Sequence, residues 1–82
     1  MTIKGLTKIF DPIFSVVIYI DDEDEAEYKG NFLDIPWYML DYKVGFEKDG
    51  KIDKTDAIVF SDDLKINEDR PVPGLIINVV SA

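Results

Sequence analysis

The sequence predicts one α+β domain, in which a mostly antiparallel sheet of three to five strands packs against one main helix. Three observations lead to this prediction. The chain has 82 residues, the size of a single domain spanning residues 1–82. Residues 13–20 and 75–80 are apolar and rich in β-branched side chains, which favour strands. Between them, residues 34–43 begin with helix-start signals and are largely apolar.

The first third of the chain predicts a short helix followed by a β-hairpin. Apolar side chains recur at helical spacing within residues 3–10, and Pro12 ends that helix because the residue before a proline leaves the helical region. Residues 13–20 are apolar on both faces, which is typical of a central strand. Residues 25–33 alternate apolar and polar side chains, as a returning antiparallel strand does. The acidic run 21–27 lies at the tip of this hairpin.

The main helix is expected at about residues 34–43. Asp34 can accept a hydrogen bond from an early backbone N–H, and Pro36 stands in the first turn, where its missing N–H costs little. Gly45 can end the helix. A short helix that is apolar almost all round is either wedged into the core or exposed and aromatic on one side.

The remainder of the chain has weaker signals. The Asp49–Gly50 pair indicates a hairpin within residues 44–52, and residues 57–60 resemble a short strand. The proline-rich residues 71–74 predict a turn before the last strand. The core is expected to contain Phe14, Val16, Ile18, Phe32, Leu40, Ile77 and Val79.

Composition excludes several kinds of catalytic site. The chain has neither cysteine nor histidine, so thiolate and imidazole nucleophiles, Ser-His-Asp catalysis and the usual zinc sites are all ruled out. Its five glycines are scattered and form no phosphate-binding loop. Calcium-loop spacing fails at residues 21–27, where Ala26 takes the glycine position, and at 45–56, where the last position lacks a glutamate. We therefore expect no enzyme activity, metal or cofactor.

The charge is strongly negative and unevenly placed. Nine basic residues stand against 17 acidic ones, which gives a formal charge of −8. Six of the seven residues from 21 to 27 are acidic. Nucleic acids and anionic membranes carry the same sign and are disfavoured as direct partners, whereas a basic protein such as a nucleic-acid-binding nuclease fits. No apolar run approaches the length of a membrane span or resembles a signal peptide, so we expect a cytoplasmic protein.

Two groups of residues are candidates for binding a partner. Trp and Tyr are enriched at binding hot spots because they offer large, rigid, amphipathic surfaces. The aromatic candidates are Trp37, Tyr38 and Tyr42. Trp37 is more strongly expected to fill the core together with Leu40, whereas Tyr38 and Tyr42 share one side of the predicted helix and are the better candidates for exposure. The acidic candidates are Asp21, Asp22, Glu23, Asp24, Glu25 and Glu27.

Residues 28–38 read Tyr-Lys-Gly-Asn-Phe-Leu-Asp-Ile-Pro-Trp-Tyr. A strand with a Tyr-x-Gly step, followed by an Asp-Ile-Pro-aromatic helix start, resembles a pattern in small uncharacterised proteins of Gram-positive bacteria and their prophages. The resemblance covers residues 11–44 and brings no activity with it. It implies a small single-domain accessory protein of phage or mobile-element origin.

Three function classes fit these observations, and two of them are favoured. The first is an acidic inhibitor that occupies the basic nucleic-acid-binding surface of a host protein, as anti-CRISPR and anti-restriction proteins of phages do, and that acts in the bacterial cytoplasm. Its carboxylates would stand where phosphates lie. The second is an ordinary protein–protein interaction module or homodimer that uses the aromatic helix or a sheet edge, with the charge serving solubility. A very small enzyme is the third and least favoured class.

Overall fold

The computed structural model of the chain describes residues 1–67 and 70–81, and this part of the chain is mostly β. Its seven strands form two sheets, and none of its helices reaches seven residues. In chain order the elements are α1 (Ile3–Thr7), β1 (Ser15–Ile20), β2 (Tyr28–Asn31), a 3₁₀ turn (Trp37–Met39), β3 (Lys43–Val44), β4 (Phe46–Lys48), β5 (Lys51–Asp53), β6 (Ile58–Asn67) and β7 (Arg70–Val80).

The α+β prediction with one main helix at 34–43 is wrong, since this segment forms only a single 3₁₀ turn. The N–H groups of the segment bond three residues back rather than four. Leu40 donates to the Trp37 carbonyl at 3.2 Å, and Tyr42 donates to the Met39 carbonyl at 3.1 Å. The chain then pairs with β7 as β3, which begins at Lys43. Aromatic residues have modest helix propensity, so pairing with the sheet prevails over a longer helix.

The short N-terminal helix is confirmed, although it ends earlier than predicted. The helix α1 begins after Thr2, whose hydroxyl oxygen accepts a hydrogen bond from the Gly5 N–H at 3.3 Å. Threonine commonly caps helices in this way, because it satisfies one of the first backbone donors. Ile3 and Leu6 are buried, so α1 packs on the core through one side.

The main sheet has the strand order β2-β1-β7-β3, and β6 also pairs with β7. The predicted hairpin is confirmed, because β1 and β2 pair antiparallel from Ser15↔Asn31 to Ile18↔Tyr28. The strands β1 and β7 are parallel, so they end at the same edge of the sheet. The other side of β7 pairs with β6 and, near its end, with β3. The strands β4 and β5 form a separate hairpin.

The predicted turn at 71–74 is wrong, because these residues belong to β7. The Asn78 N–H donates to the Ala57 carbonyl, so even-numbered residues of β7 direct their backbone groups toward β6. Pro71 and Pro73 therefore face the opposite side, at a level that β1 does not reach. A proline is tolerated in a strand where its nitrogen faces an unpaired edge.

The core lies on one face of the main sheet, beneath α1 and the 3₁₀ turn. Five of the predicted core residues are buried, whereas Phe14 and Leu40 are only partly buried and pack against the others. The buried core cluster comprises Ile3, Leu6, Val16, Ile18, Phe32, Ile35, Met39, Val44, Ala57, Leu75, Ile77 and Val79. Within the described ranges, no helix is long and apolar enough to cross a membrane.

Candidate functional site

The acidic run forms the loop that connects β1 to β2, at the edge where β1 and β7 end. Asp21 and Asp22 adopt left-handed backbone conformations with φ of 52° and 57°, which aspartate tolerates better than most residues. These two residues turn the chain away from the sheet. The predicted acidic candidates Asp21, Asp22, Glu23, Asp24, Glu25 and Glu27 are all exposed.

Asp21 fastens the acidic loop to the end of β7. Its backbone N–H donates to the Val79 carbonyl at 2.9 Å. Its carboxylate accepts hydrogen bonds from the Ser81 N–H at 3.0 Å and from the Ser81 hydroxyl at 2.7 Å. The hydrogen bond from the Ser81 N–H holds the pKa of Asp21 below its ordinary value, and the bond from the Ser81 hydroxyl adds a smaller lowering. Asp21 is thus engaged within the chain and positions the carboxylates that follow it.

The other five carboxylates of the loop point into solvent without partners. In the described part of the chain they make no side-chain hydrogen bond, and the ion pair found there joins Lys48 and Asp53 instead, with 3.6 Å from Nζ to Oδ2. Five adjacent carboxylates without a cation repel one another and attract positive charge. The loop is therefore a concentrated negative surface whose first residue, Asp21, is bonded to the end of β7.

The β4–β5 hairpin brings further carboxylates to the same edge. A cleft of about 720 Å³ lies between this hairpin, the acidic loop and the end of β7. Glu47, Asp53 and Asp56 line it together with Asp21 and Asp22. The pKa of Asp53 is lowered mainly by a hydrogen bond from the Thr55 N–H and then by one from the Thr55 hydroxyl. The positive charge of Lys48 lowers it further.

We call the loop 21–27 and the hairpin segment 46–56 together the acidic end. The loop carries six acidic residues and no basic one, and the hairpin segment carries four acidic and three basic ones. The acidic end therefore holds a formal charge of −7 out of the −8 of the whole chain. The loop is apparent in the sequence, whereas the hairpin reaches it only because β3 pairs with the last two residues of β7.

The aromatic candidates form a row of rings outside the core. Trp37 is 82% exposed and Tyr38 is 47% exposed, so the expectation that Trp37 fills the core is wrong. Met39 is the buried residue of this turn. Neighbouring rings meet edge to face, with centroids 6.3 Å apart for Trp37 and Tyr38 and 6.4 Å apart for Tyr38 and Tyr42. Tyr42 is half-buried and packs against the core, so Trp37 and Tyr38 are the accessible pair.

A second, smaller cavity lies near the start of β1, away from the acidic end. Its volume is about 260 Å³, and its walls include Pro12, Leu33 and Leu40. The Leu33 N–H donates to the Pro12 carbonyl at 3.0 Å, which brings the two walls together. Ile13 and Leu33 are exposed here, so the cavity opens onto an apolar surface. The two ends of β1 thus differ sharply in chemistry.

The acidic cleft shows no arrangement suited to a metal ion. Across residues 1–67 and 70–81, no group of three or more acidic side chains is placed to hold one. Comparison of the chain with protein-family models, curated proteins and solved structures gives no match.

Proposed function

We propose that the protein is a non-enzymatic acidic binding protein whose acidic end covers the basic, nucleic-acid-binding surface of a host protein. The observation that carries the proposal is the net formal charge of −7 at the acidic end, against −8 for the whole chain. The loop contributes −6 and the hairpin segment −1, and the start of the loop lines one cleft with the hairpin segment. A charge that served solubility alone would need no such gathering.

Complementary charge supplies the mechanism. A concentrated negative surface steers a positively charged partner into encounter and raises the association rate. The solvent-exposed carboxylates of the loop then occupy positions that phosphates would take, so nucleic acid and this protein compete for one surface. The bond from Ser81 to Asp21 limits the motion of the loop at its first residue, which lowers the entropy cost of binding.

The proposal includes a setting. A phage or prophage inhibitor of the anti-CRISPR or anti-restriction type, acting in the bacterial cytoplasm on a nuclease, is the kind of protein that such a surface would suit. The resemblance of residues 11–44 to small prophage proteins supports this setting.

The second candidate function is an ordinary interaction module or homodimer. The exposure of Trp37 favours it, because Trp and Tyr are enriched at binding hot spots and Trp37 is 82% exposed beside the exposed Tyr38. In this case the aromatic row would supply the binding energy, and the acidic end would keep the protein soluble.

Parallel affinity capture from a bacterial lysate separates the two functions. The baits are the parent chain, a neutral-loop variant (Asp22→Asn, Asp24→Asn, Glu25→Gln) and Trp37→Ala. The neutral-loop replacements keep side-chain size, and asparagine suits the left-handed backbone at Asp22.

The proposed function predicts a nucleic-acid-binding protein that the parent and Trp37→Ala retain, that the neutral-loop variant loses, and that duplex DNA displaces. Retention by the neutral-loop variant but not by Trp37→Ala would establish the interaction module instead. Self-association of the parent that Trp37→Ala abolishes would establish the homodimer.

A further inference from the structure

Two strands of the main sheet, β2 and β6, have an outer side that no strand of the described ranges pairs with. The outer side of β3 is covered, because the Val44 N–H donates to the Met1 carbonyl at 2.9 Å. On β2, the Tyr28 hydroxyl takes the Asn31 carbonyl at 2.6 Å, and the exposed Lys29 protects the edge as lysines on edge strands commonly do. The side of β6 that faces away from β7 has no such lysine between Ile58 and Ser61.

The register shows which backbone groups this edge offers. The Asn78 N–H donates to the Ala57 carbonyl, so Val59 and Ser61 also direct their backbone groups toward β7. In an antiparallel pair the alternate residues face the other way. The N–H and C=O groups of Ile58 and Phe60 therefore point outward, in the spacing that an added strand requires.

The side chains favour an apolar occupant along this short stretch. Val59 is 43% exposed and Phe60 is 58% exposed, and they lie on opposite faces of the strand. Natural proteins usually protect such an edge with charges, prolines or bulges. Here the protection begins only after Ser61, where the register shifts and the Ser61 hydroxyl donates to the Asp63 carboxylate at 2.8 Å.

Carboxylates flank the open stretch at both ends. Asp56 precedes it and also lines the acidic cleft, and Asp62 and Asp63 follow it. Residues 53–65 carry four acidic residues and two basic ones, so the edge has a net negative charge. An occupant that is apolar in its centre and basic at its ends matches this pattern.

A second copy of the chain matches it poorly. If two β6 strands paired antiparallel about Val59, so that Ile58 of each copy stood opposite Phe60 of the other, Asp56 of each copy would stand opposite Asp62 of the other. Like charges directly opposite each other destabilise a strand pair, and here the clash occurs twice. The charge pattern in this register favours a basic chain over a second copy.

We propose that the outer edge of β6 at residues 58–61 is a strand-addition site for an extended segment of the partner, with alternating apolar residues at its centre and Lys or Arg at both ends. The basic character of the occupant rests on the proposed function; the open edge does not. Main-chain hydrogen bonds to Ile58 and Phe60 supply affinity, and the flanking carboxylates select the partner. The edge continues from the acidic cleft through Asp56, so one basic partner can contact both.

Titration of the ¹⁵N-labelled full chain with a synthetic peptide tests this site. The probe is acetyl-Lys-Thr-Val-Thr-Val-Thr-Lys-amide, and the matched control carries Glu in place of both Lys residues. The Lys peptide is expected to shift the amide signals of Ile58 and Phe60 and to slow their hydrogen exchange. The Glu peptide is expected to bind about tenfold more weakly or worse, since two attractive end contacts become repulsive.

Two further probes isolate the backbone bonds. Phe60→Pro removes an outward N–H while leaving the bonds to β7 in place, and it is expected to reduce peptide affinity about tenfold or more, whereas Phe60→Val keeps it. A Lys peptide that is N-methylated at alternate residues tests the same bonds in the parent chain, and it is expected not to bind.

Several results would overturn the site. They are shifts centred elsewhere on the chain, equal binding of the Lys and Glu peptides, undiminished binding of the N-methylated peptide, or self-association that Phe60→Pro abolishes. If the peptide fails while capture of a nucleic-acid-binding protein still requires the charged loop, the edge is refuted and the proposed function stands. If the peptide binds as expected but the neutral-loop variant captures the same proteins as the parent, the proposed function is refuted and the edge site stands.

Discussion

Replacing Gly74 by alanine tests a close backbone approach in the sheet. Gly74 is buried where β7 passes β1, opposite Ser15. A Cβ atom at this position would strike the Ser15 carbonyl oxygen and would lie 3.0 Å from the Ser15 carbonyl carbon and 2.6 Å from the Leu64 Cδ1. Leu64 can rotate, but the backbone of β1 cannot move without disturbing its pairing with β2 on the other side.

Overpacking a filled core costs about 1–3 kcal/mol, and we expect the upper end because one of the contacts is backbone. A domain of this size loses about 4–8 °C in Tm for each kcal/mol, so Gly74→Ala should lower Tm by about 12–24 °C. Thermal and urea unfolding followed by circular dichroism measure both quantities.

Gly5→Ala is the matched control. A Cβ atom at Gly5 would meet only the Thr2 Oγ1, at 3.9 Å, and the residue lies within α1. Alanine should therefore raise the unfolding free energy by about 0.5–1 kcal/mol through its better helix propensity. An unfolding free energy for Gly74→Ala within about 0.5 kcal/mol of the parent would refute the close approach of β7 to β1.

Four further substitutions test the core, the anchor of the acidic loop and the exposed aromatic row. Ile18 and Ile77 are fully buried and pair with each other, so Ile18→Ala and Ile77→Ala should each lower the unfolding free energy by about 2–5 kcal/mol in urea titrations. Losses below about 0.5 kcal/mol at both positions would contradict their burial in the core. The hydrogen bonds from Ser81 lower the pKa of Asp21, so they stabilise the fold fully above the ordinary Asp pKa, and this stability is lost as the pH falls through the pKa of Asp21 in the folded chain. The difference in unfolding free energy between the parent and Asp21→Asn should therefore shrink on acidification. A constant difference would contradict the bonds from Ser81. Trp37→Ala should change the unfolding free energy by less than about 0.5 kcal/mol, because its exposed ring supports no core packing, and a loss above about 2 kcal/mol would show that the ring is buried.

Local sequence signals predicted the elements whose stability is local. The β-branched run in β1 and the alternation in β2 indicated a hairpin, and Thr2 marked the start of α1. Prediction failed where distant segments decide the conformation. The segment 34–43 forms one 3₁₀ turn, and its end pairs with β7 at Lys43; nothing within the segment itself indicates that pairing.

The same distinction holds for the candidate site. The acidic loop is visible in the sequence because its carboxylates are consecutive. The contribution of Glu47 and Asp56 is not visible in the sequence, because it depends on the two-residue strand β3, which brings the hairpin to the end of β7. The open edge of β6 is equally hidden, because which strand remains unpaired depends on the order of all the others.

The association rate of the captured partner decides whether recognition uses the acidic end. The parent and the neutral-loop variant are compared at about 0.01 M and about 1 M salt, where the Debye length falls from about 30 Å to about 3 Å. If the carboxylates steer the partner, salt slows the parent by about tenfold or more, and the variant is slower at low salt, depends less on salt and is at least as stable. An equal association rate for parent and variant at low salt would contradict recognition through the acidic end.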